Sequence, residues 1–281
     1  MMFTALLGAT AAGAAALAHG ALAPNSPVFG PVVSRGLRER VLYLTFDDGP
    51  NPYTTEPIVR LLQREHVPAT FFMVGRHVER YPELGRLVAR SGFEIGNHTQ
   101  THRRLALASP TRTAWEVSAA HEAIETTTGA IPTCFRAPHG YRNPYLRRVL
   151  SRYHYRVFGW TFGVWDTDRP GARVIRDRMR RGVRPGAVLL LHDGDGYDPE
   201  GDRRQTAEAL PGIIEDCRAM GYEFRSLERL TADGNDNGGT AEQSRHAHAQ
   251  PTAHPPTSSR PSSPPAAPAP RRSSRSSDTS G

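Results

Sequence analysis

Two adjacent carboxylates, a pair of histidines four residues apart and a third histidine far along the chain are residue types able to do hydrolytic chemistry. Asp47 and Asp48 stand in Thr45-Phe46-Asp47-Asp48-Gly49-Pro50. Neighbouring side chains on a strand point to opposite faces, but where the strand runs into a Gly-Pro turn both can reach one cavity. Taken alone, such a segment is also an ordinary turn and capping device. His98 and His102, in Asn97-His98-Thr99-Gln100-Thr101-His102, share a face if the segment coils, and imidazoles so placed can share a metal. With 12 histidines in 281 residues, one such pair is close to a chance event. Arg136-Ala137-Pro138-His139-Gly140, Trp165-Asp166 and His192-Asp193 complete five capable clusters. Each has a bland alternative: the Arg a surface ion-pair partner, the Asp a loop cap, His192 a structural histidine.

What gives the five weight is where they fall. Short runs rich in branched and aromatic residues read as strands at Val41 to Phe46, Ala69 to Val74, Phe93 to Gly96, Thr133 to Arg136, Tyr155 to Trp160, Ala187 to Leu191 and Tyr222 to Phe224. Helical spacing lies between them, as in Ile58, Leu61 and Leu62, and Ser109-Pro110 has the form of a cap followed by proline in the first turn. Seven βα repeats imply a parallel sheet with helices outside, and Val188-Leu189-Leu190-Leu191 is apolar enough for a strand buried on both faces. The architecture is then an open doubly wound sheet or a closed or nearly closed barrel. In either, chemistry belongs at the carboxyl ends of the strands, where the five clusters stand.

Composition bounds the rest. Residues 231–281 contain no Val, Ile, Leu, Met, Phe, Trp, Tyr or Cys, so they cannot offset their ordering entropy and are expected to be a disordered Ser-, Pro- and Arg-rich tail. All 35 basic residues are Arg, which excludes a phosphate loop ending in Gly-Lys and any Schiff-base lysine. The net charge of +7 is not gathered into a basic block with interleaved aromatics, so no nucleic-acid partner is expected. Cys134 and Cys217 form no C-x-x-C pair, which excludes a cysteine zinc site and leaves a disulfide undecided. Residues 1–24 are Ala-rich, uncharged and end in Ala21-Leu22-Ala23, but lack a basic start. They read as a signal-like segment or weak membrane anchor, against a misplaced start codon, and the expected setting is secreted or cell-envelope.

The pattern resembles the polysaccharide deacetylases of carbohydrate esterase family four, the nodulation-deacetylase homology domain. The resemblance covers about residues 40–230. Thr45 to Pro50, His98-Thr99-x-x-His102 and Leu189-Leu190-Leu191-His192 carry it. It implies a single-domain α/β fold, a distorted (β/α) barrel of about seven parallel strands. It also implies removal of N-acetyl groups from the sugars of a chitin-like oligomer or peptidoglycan, with an O-acetyl ester, a non-sugar amide or an inactive carbohydrate-binding relic as alternatives. By the same resemblance Asp48, His98 and His102 hold a divalent metal, most simply zinc, with cobalt, nickel or iron as other occupants. Asp47 is the base, fixed by Arg136, and His192 is the acid, oriented by Asp166 with Asp168 as its rival. The main-chain N–H of His139 meets the oxyanion, and Trp160, Trp165 and Leu191 are substrate contacts. The chain departs from the family at His139, where an aromatic Tyr or Phe is usual.

Overall fold

The structure, a computed structural model, describes residues 2–233. The expected tail from residue 234 onward lies outside the described residues. Strands β1 (Val41–Asp47), β2 (Ala69–Met73), β3 (Glu94–Asn97), β4 (Cys134–Phe135), β5 (Arg156–Val157), β6 (Phe162–Gly163), β7 (Ala187–His192) and β8 (Glu223–Phe224) form one sheet. Seven lie on the path β5-β4-β3-β2-β1-β7-β6, and β8 pairs with the first residues of β1. Every pairing is parallel, and the sheet curls into a half-barrel. Each expected strand is present, β7 running one residue further to include His192. β6 is additional: two residues ending in Gly163 carry no periodicity to read.

Helices α1 (Met2–Leu22), α2 (Thr55–Arg64), α3 (Gly75–Arg80), α4 (Pro82–Arg90), α5 (Pro110–Thr128), α6 (Leu146–Arg152), α7 (Ala172–Gly182), α8 (Arg204–Ala219) and α9 (Leu227–Asp233) complete the described chain. α5 begins as its sequence prescribes: Ser109 Oγ accepts the amide of Arg112, Pro110 opens the first turn, and Gly129 ends the helix at φ 73°. No helix among the described residues is long and apolar enough to cross a membrane.

The strand period of two sends apolar side chains of the central strands to opposite faces of the sheet. Leu42, Leu44, Phe46, Leu189 and Leu191 point outward to meet Ile58 and Leu62 of α2, Ile175 of α7 and Ile213 of α8. Val41, Tyr43, Phe72, Cys134 and Val188 point inward, and Leu227 and Leu230 of α9 join them. Each fully buried leucine contributes roughly 2 kcal/mol, so these layers hold the strand ends in place. Cys217 lies in the outer cluster and Cys134 in the inner one, and both thiols are free.

The sheet order leaves β5 and β6, neighbours in sequence, at opposite edges. Residues 33–36 run along this seam. Val33 pairs with Phe158 and Arg35 with Ala187, Val33 N–H donates to the carbonyl of Val157 at 2.9 Å, and Gly159 N–H donates to that of Val33 at 2.9 Å. The packed domain therefore starts before the expected boundary at residue 40. Residues 20–26 also lie against it: Ala21 accepts the amide of Arg142, and Asn25 donates to the carbonyl of Trp160.

Candidate active site

The ends of β3, β2, β1 and β7 follow one another across the sheet, and that register creates the site. Asp47 pairs with His192 and Phe72, and Met73 pairs with Asn97. Past β1 the chain leaves its strand: Asp48 takes φ 75°, and the Gly49–Pro50 peptide is cis. The turn is tied down by the amide of Val74 on the carbonyl of Gly49 and by the His77 Nδ1–H on the carbonyl of Asp48, both at 2.9 Å. Gly49 is required there because a Cβ would lie 2.1 Å from Asp193 Oδ2.

His98 and His102 are brought together by a loop rather than the coil considered from their spacing. Thr99 at φ 70° and His102 at φ 55° turn the chain back on itself. Asn97 fixes the start, its Oδ1 accepting the amide of Thr99 at 2.8 Å and its Nδ2 donating to the Val117 carbonyl and the Tyr155 hydroxyl. Buried Glu116 fixes the far side through the amide and hydroxyl of Thr101. His98 Nδ1–H donates to the Arg136 carbonyl at 2.8 Å, which leaves the lone pair of Nε2 facing inward.

Asp48 Oδ1 lies 3.2 Å from His98 Nε2 and 3.0 Å from His102 Nε2, and has no hydrogen-bond partner. All three side chains are buried, and this trio is the group among the described residues able to hold a metal. Donors around a tetrahedral zinc at ~2.0–2.1 Å stand ~3.3 Å apart, so the donor set and spacing fit such an ion. Burial alone would raise the Asp48 pKa, but His102 and His98 hold it well below the usual carboxylate range, so it is anionic.

Two buried ion pairs flank the trio. Arg136, fully buried, donates from Nη1 to Asp47 Oδ1 at 2.6 Å and to Thr45 Oγ1 at 2.8 Å, and from Nη2 to the Gly159 carbonyl at 2.8 Å. The other oxygen of Asp47 is left toward His98, 3.7 Å from Nε2. On the opposite side His192 Nδ1–H donates to Asp166 Oδ1 at 2.8 Å, while Asp166 Oδ2 accepts the His192 amide and the Thr206 hydroxyl. Burial disfavours the imidazolium, but the charge and hydrogen bonds of Asp166 outweigh it and raise His192 to about 9. Asp166, not its rival Asp168, reaches His192.

The remaining sequence-derived residues divide. His139, at φ 57° in a one-turn helix (Pro138–Gly140), reaches the mouth, its ring 5.0 Å from that of His102. Its ring is exposed, and its Nε2 shares a hydrogen bond of 2.8 Å with the Tyr197 hydroxyl. Trp165 is 69% exposed, whereas Trp160 packs partly buried against the inner core and near Arg136. Leu191 requires correction as a substrate contact. It is fully buried in the helix-facing cluster, and the strand period gives the face of His192 to Leu190, two residues before it.

Two residues of the site have no role assigned from the sequence. His77 holds the Asp48 carbonyl; a lone histidine whose partner is main chain leaves no signal in spacing. Asp193, named from the sequence only as the neighbour of His192, is buried beside the turn. Its Oδ2 accepts the Thr55 hydroxyl at 2.5 Å and its Oδ1 has no partner; burial raises it to about 7.

Comparison with known proteins identifies the family. A family model described as polysaccharide deacetylase matches residues 34–158. A chitooligosaccharide deacetylase of a Bradyrhizobium species is 36% identical over 200 residues, 68% of this chain and 90% of the relative. A peptidoglycan-N-acetylglucosamine deacetylase of Bacillus cereus is 32% identical over 194 residues, 68% of this chain and 88% of the relative. Among solved structures, a pseudoenzyme of carbohydrate esterase family four from Bacillus anthracis superposes with a TM-score of 0.65 at 25% identity, covering 73% of this chain and 69% of its own. Carried by motifs, fold and relatives alike, the chain belongs to the polysaccharide deacetylases of carbohydrate esterase family four.

Proposed function

We propose that this deacetylase is a metal-dependent hydrolase that removes N-acetyl groups from the N-acetylated sugars of a chitin-like oligomer or peptidoglycan. One observation carries the reading: a metal-competent trio is flanked on one side by an Arg-held carboxylate and on the other by an Asp-held histidine. Because a pseudoenzyme shares the fold, function rests on these side chains and not on the architecture. Each acid, base and ligand position is filled by a competent residue, which argues against an inactive relic.

A divalent cation held by Asp48, His98 and His102, zinc by the donor set, would supply Lewis acidity that makes water nucleophilic near neutral pH and polarises the acyl oxygen. Asp47 takes the proton of the attacking water on the oxygen that Arg136 leaves free. Arg136 fixes the position of that carboxylate through Oδ1. Negative charge gathering on the acyl oxygen meets the main-chain N–H of His139, and losing one such donor typically costs ~3 kcal/mol. His192, protonated below about 9, gives its proton to the sugar nitrogen as the C–N bond breaks, releasing acetate and a free amine. An amine anion leaves far less readily than an alkoxide, so a histidine held in its acid form favours an amide over an O-acetyl ester. Leu190 and the exposed Trp165 offer apolar contacts for the acetyl methyl and a sugar face.

The reading extends to location: action on wall-type polymers suits a secreted or cell-envelope enzyme. The test is acetate release by zinc- or cobalt-loaded protein across chitin oligomers, peptidoglycan, acetylated xylan and simple amides. Release from the first two supports the reading. Release confined to xylan acetate or to simple amides replaces it.

A further inference from the structure

The loop between β7 and α8 carries an aromatic ring to the mouth of the centre. Its backbone is pinned from several sides. Arg76 Nη2 donates to the carbonyls of Gly196 and Tyr197, each at 2.8 Å, and Arg203 donates to the Gly194 carbonyl and to Asp195 Oδ2. Asn51 Nδ2 holds the carbonyls of Pro199 and Gly201 at 3.1 and 3.0 Å. On this fixed base the Tyr197 side chain remains 54% exposed. Its ring stands edge-on to His102, centroids 5.0 Å apart, and its hydroxyl reaches His139 Nε2 across the mouth.

Support of His102 does not account for this arrangement. The backbone at Gly196 already walls that ring, since an added Cβ would lie 2.1 Å from His102 Nδ1, and His98 packs on it at 5.1 Å. Neither contact needs a hydroxyl bonded to an exposed imidazole. A phenol and an imidazole that spend their polar atoms on each other, with their rings open to solvent, are suited to a ligand with an apolar face and a rim of hydroxyls. Fixing them beforehand lowers the ordering cost of binding it.

We infer that Tyr197 and His139 form a clamp that grips the pyranose next to the acetylated sugar, exchanging their mutual hydrogen bond for bonds to its hydroxyls. The clamp deepens the deacetylase reading and rests on it: it makes the enzyme select chains over single sugars. The test is calorimetric titration of zinc-loaded Asp47→Asn protein with the tetramer and the monomer of N-acetylglucosamine. Adding Tyr197→Phe, which keeps the ring and removes the polar atom, weakens the tetramer about tenfold and leaves the monomer and zinc affinities unchanged. Unchanged tetramer affinity overturns the clamp, as does a parallel loss of zinc affinity, which marks a purely supporting role. Acetate release by the unmutated chain is measured alongside. No release with clamp-dependent tetramer binding overturns the hydrolase reading alone; no tetramer binding by the parent protein overturns the clamp.

Discussion

The two sides of the mouth are ion pairs of opposite construction. At Asp47 and Arg136 the partner that cannot change charge is the cation, and it holds an anion in place. At Asp166 and His192 the fixed partner is the anion, and it keeps a titratable ring in its acid form up to about 9. Both pairs are buried, so neither is there for cheap stability: desolvation offsets most of what such pairs gain. The comparison shows one device used twice, a charged partner fixing its neighbour in place, once for a base and once for an acid.

The sharpest break of the comparison is at the base. Asp47→Asn is expected to lower acetate release on the order of 10³-fold while zinc still binds with unchanged stoichiometry, measured by turnover and metal analysis. Retained turnover would remove Asp47 from its role. Next, Arg136→Met leaves Asp47 buried without its cation and is expected to cost about 3 kcal/mol in denaturant unfolding, partly recovered when Asp47→Asn is added.

The acid side is separated by pH. With His192 raised to about 9, its proton-donating form persists through neutrality and the alkaline limb of kcat lies near that value. Asp166→Asn removes the raising charge, burial then dominates, and the limb moves below neutrality, lowering kcat at pH 8 by about tenfold or more. A limb that stays near 9 in this variant would separate Asp166 from the acid. The smallest effect is expected outside both pairs. Asp193 titrates near 7 in the fold against an ordinary 3.8, so its ionised form opposes folding and stability falls as pH rises through that window. Asp193→Asn should therefore add on the order of 1 kcal/mol at pH 8 and nothing near pH 4, read from thermal unfolding.

Much of this was legible because strand ends carry both periodicity and chemistry. The seven foreseen strands, the capped start of α5 and the placing of Asp48, His98, His102, Asp47, Arg136, Asp166 and His192 at strand mouths follow from pattern and resemblance. The failures share a physical cause, contacts made through the main chain or across the seam. β6 is two residues, the seam segment at 33–36 has no apolar run, and His77 binds a carbonyl. Leu191 was misassigned for another reason: in a strand buried on both faces, an unbroken leucine run hides which residues look inward, and only the facing of His192 resolves it to Leu190.

The most direct test of the central claim is acetate release from an N-acetylglucosamine oligomer by protein stripped with a chelator and then titrated with zinc. The account predicts that release vanishes on stripping and returns in full at one equivalent, and that Asp48→Ala neither binds that equivalent nor recovers. Release that persists in chelator, or returns equally in Asp48→Ala, would contradict it.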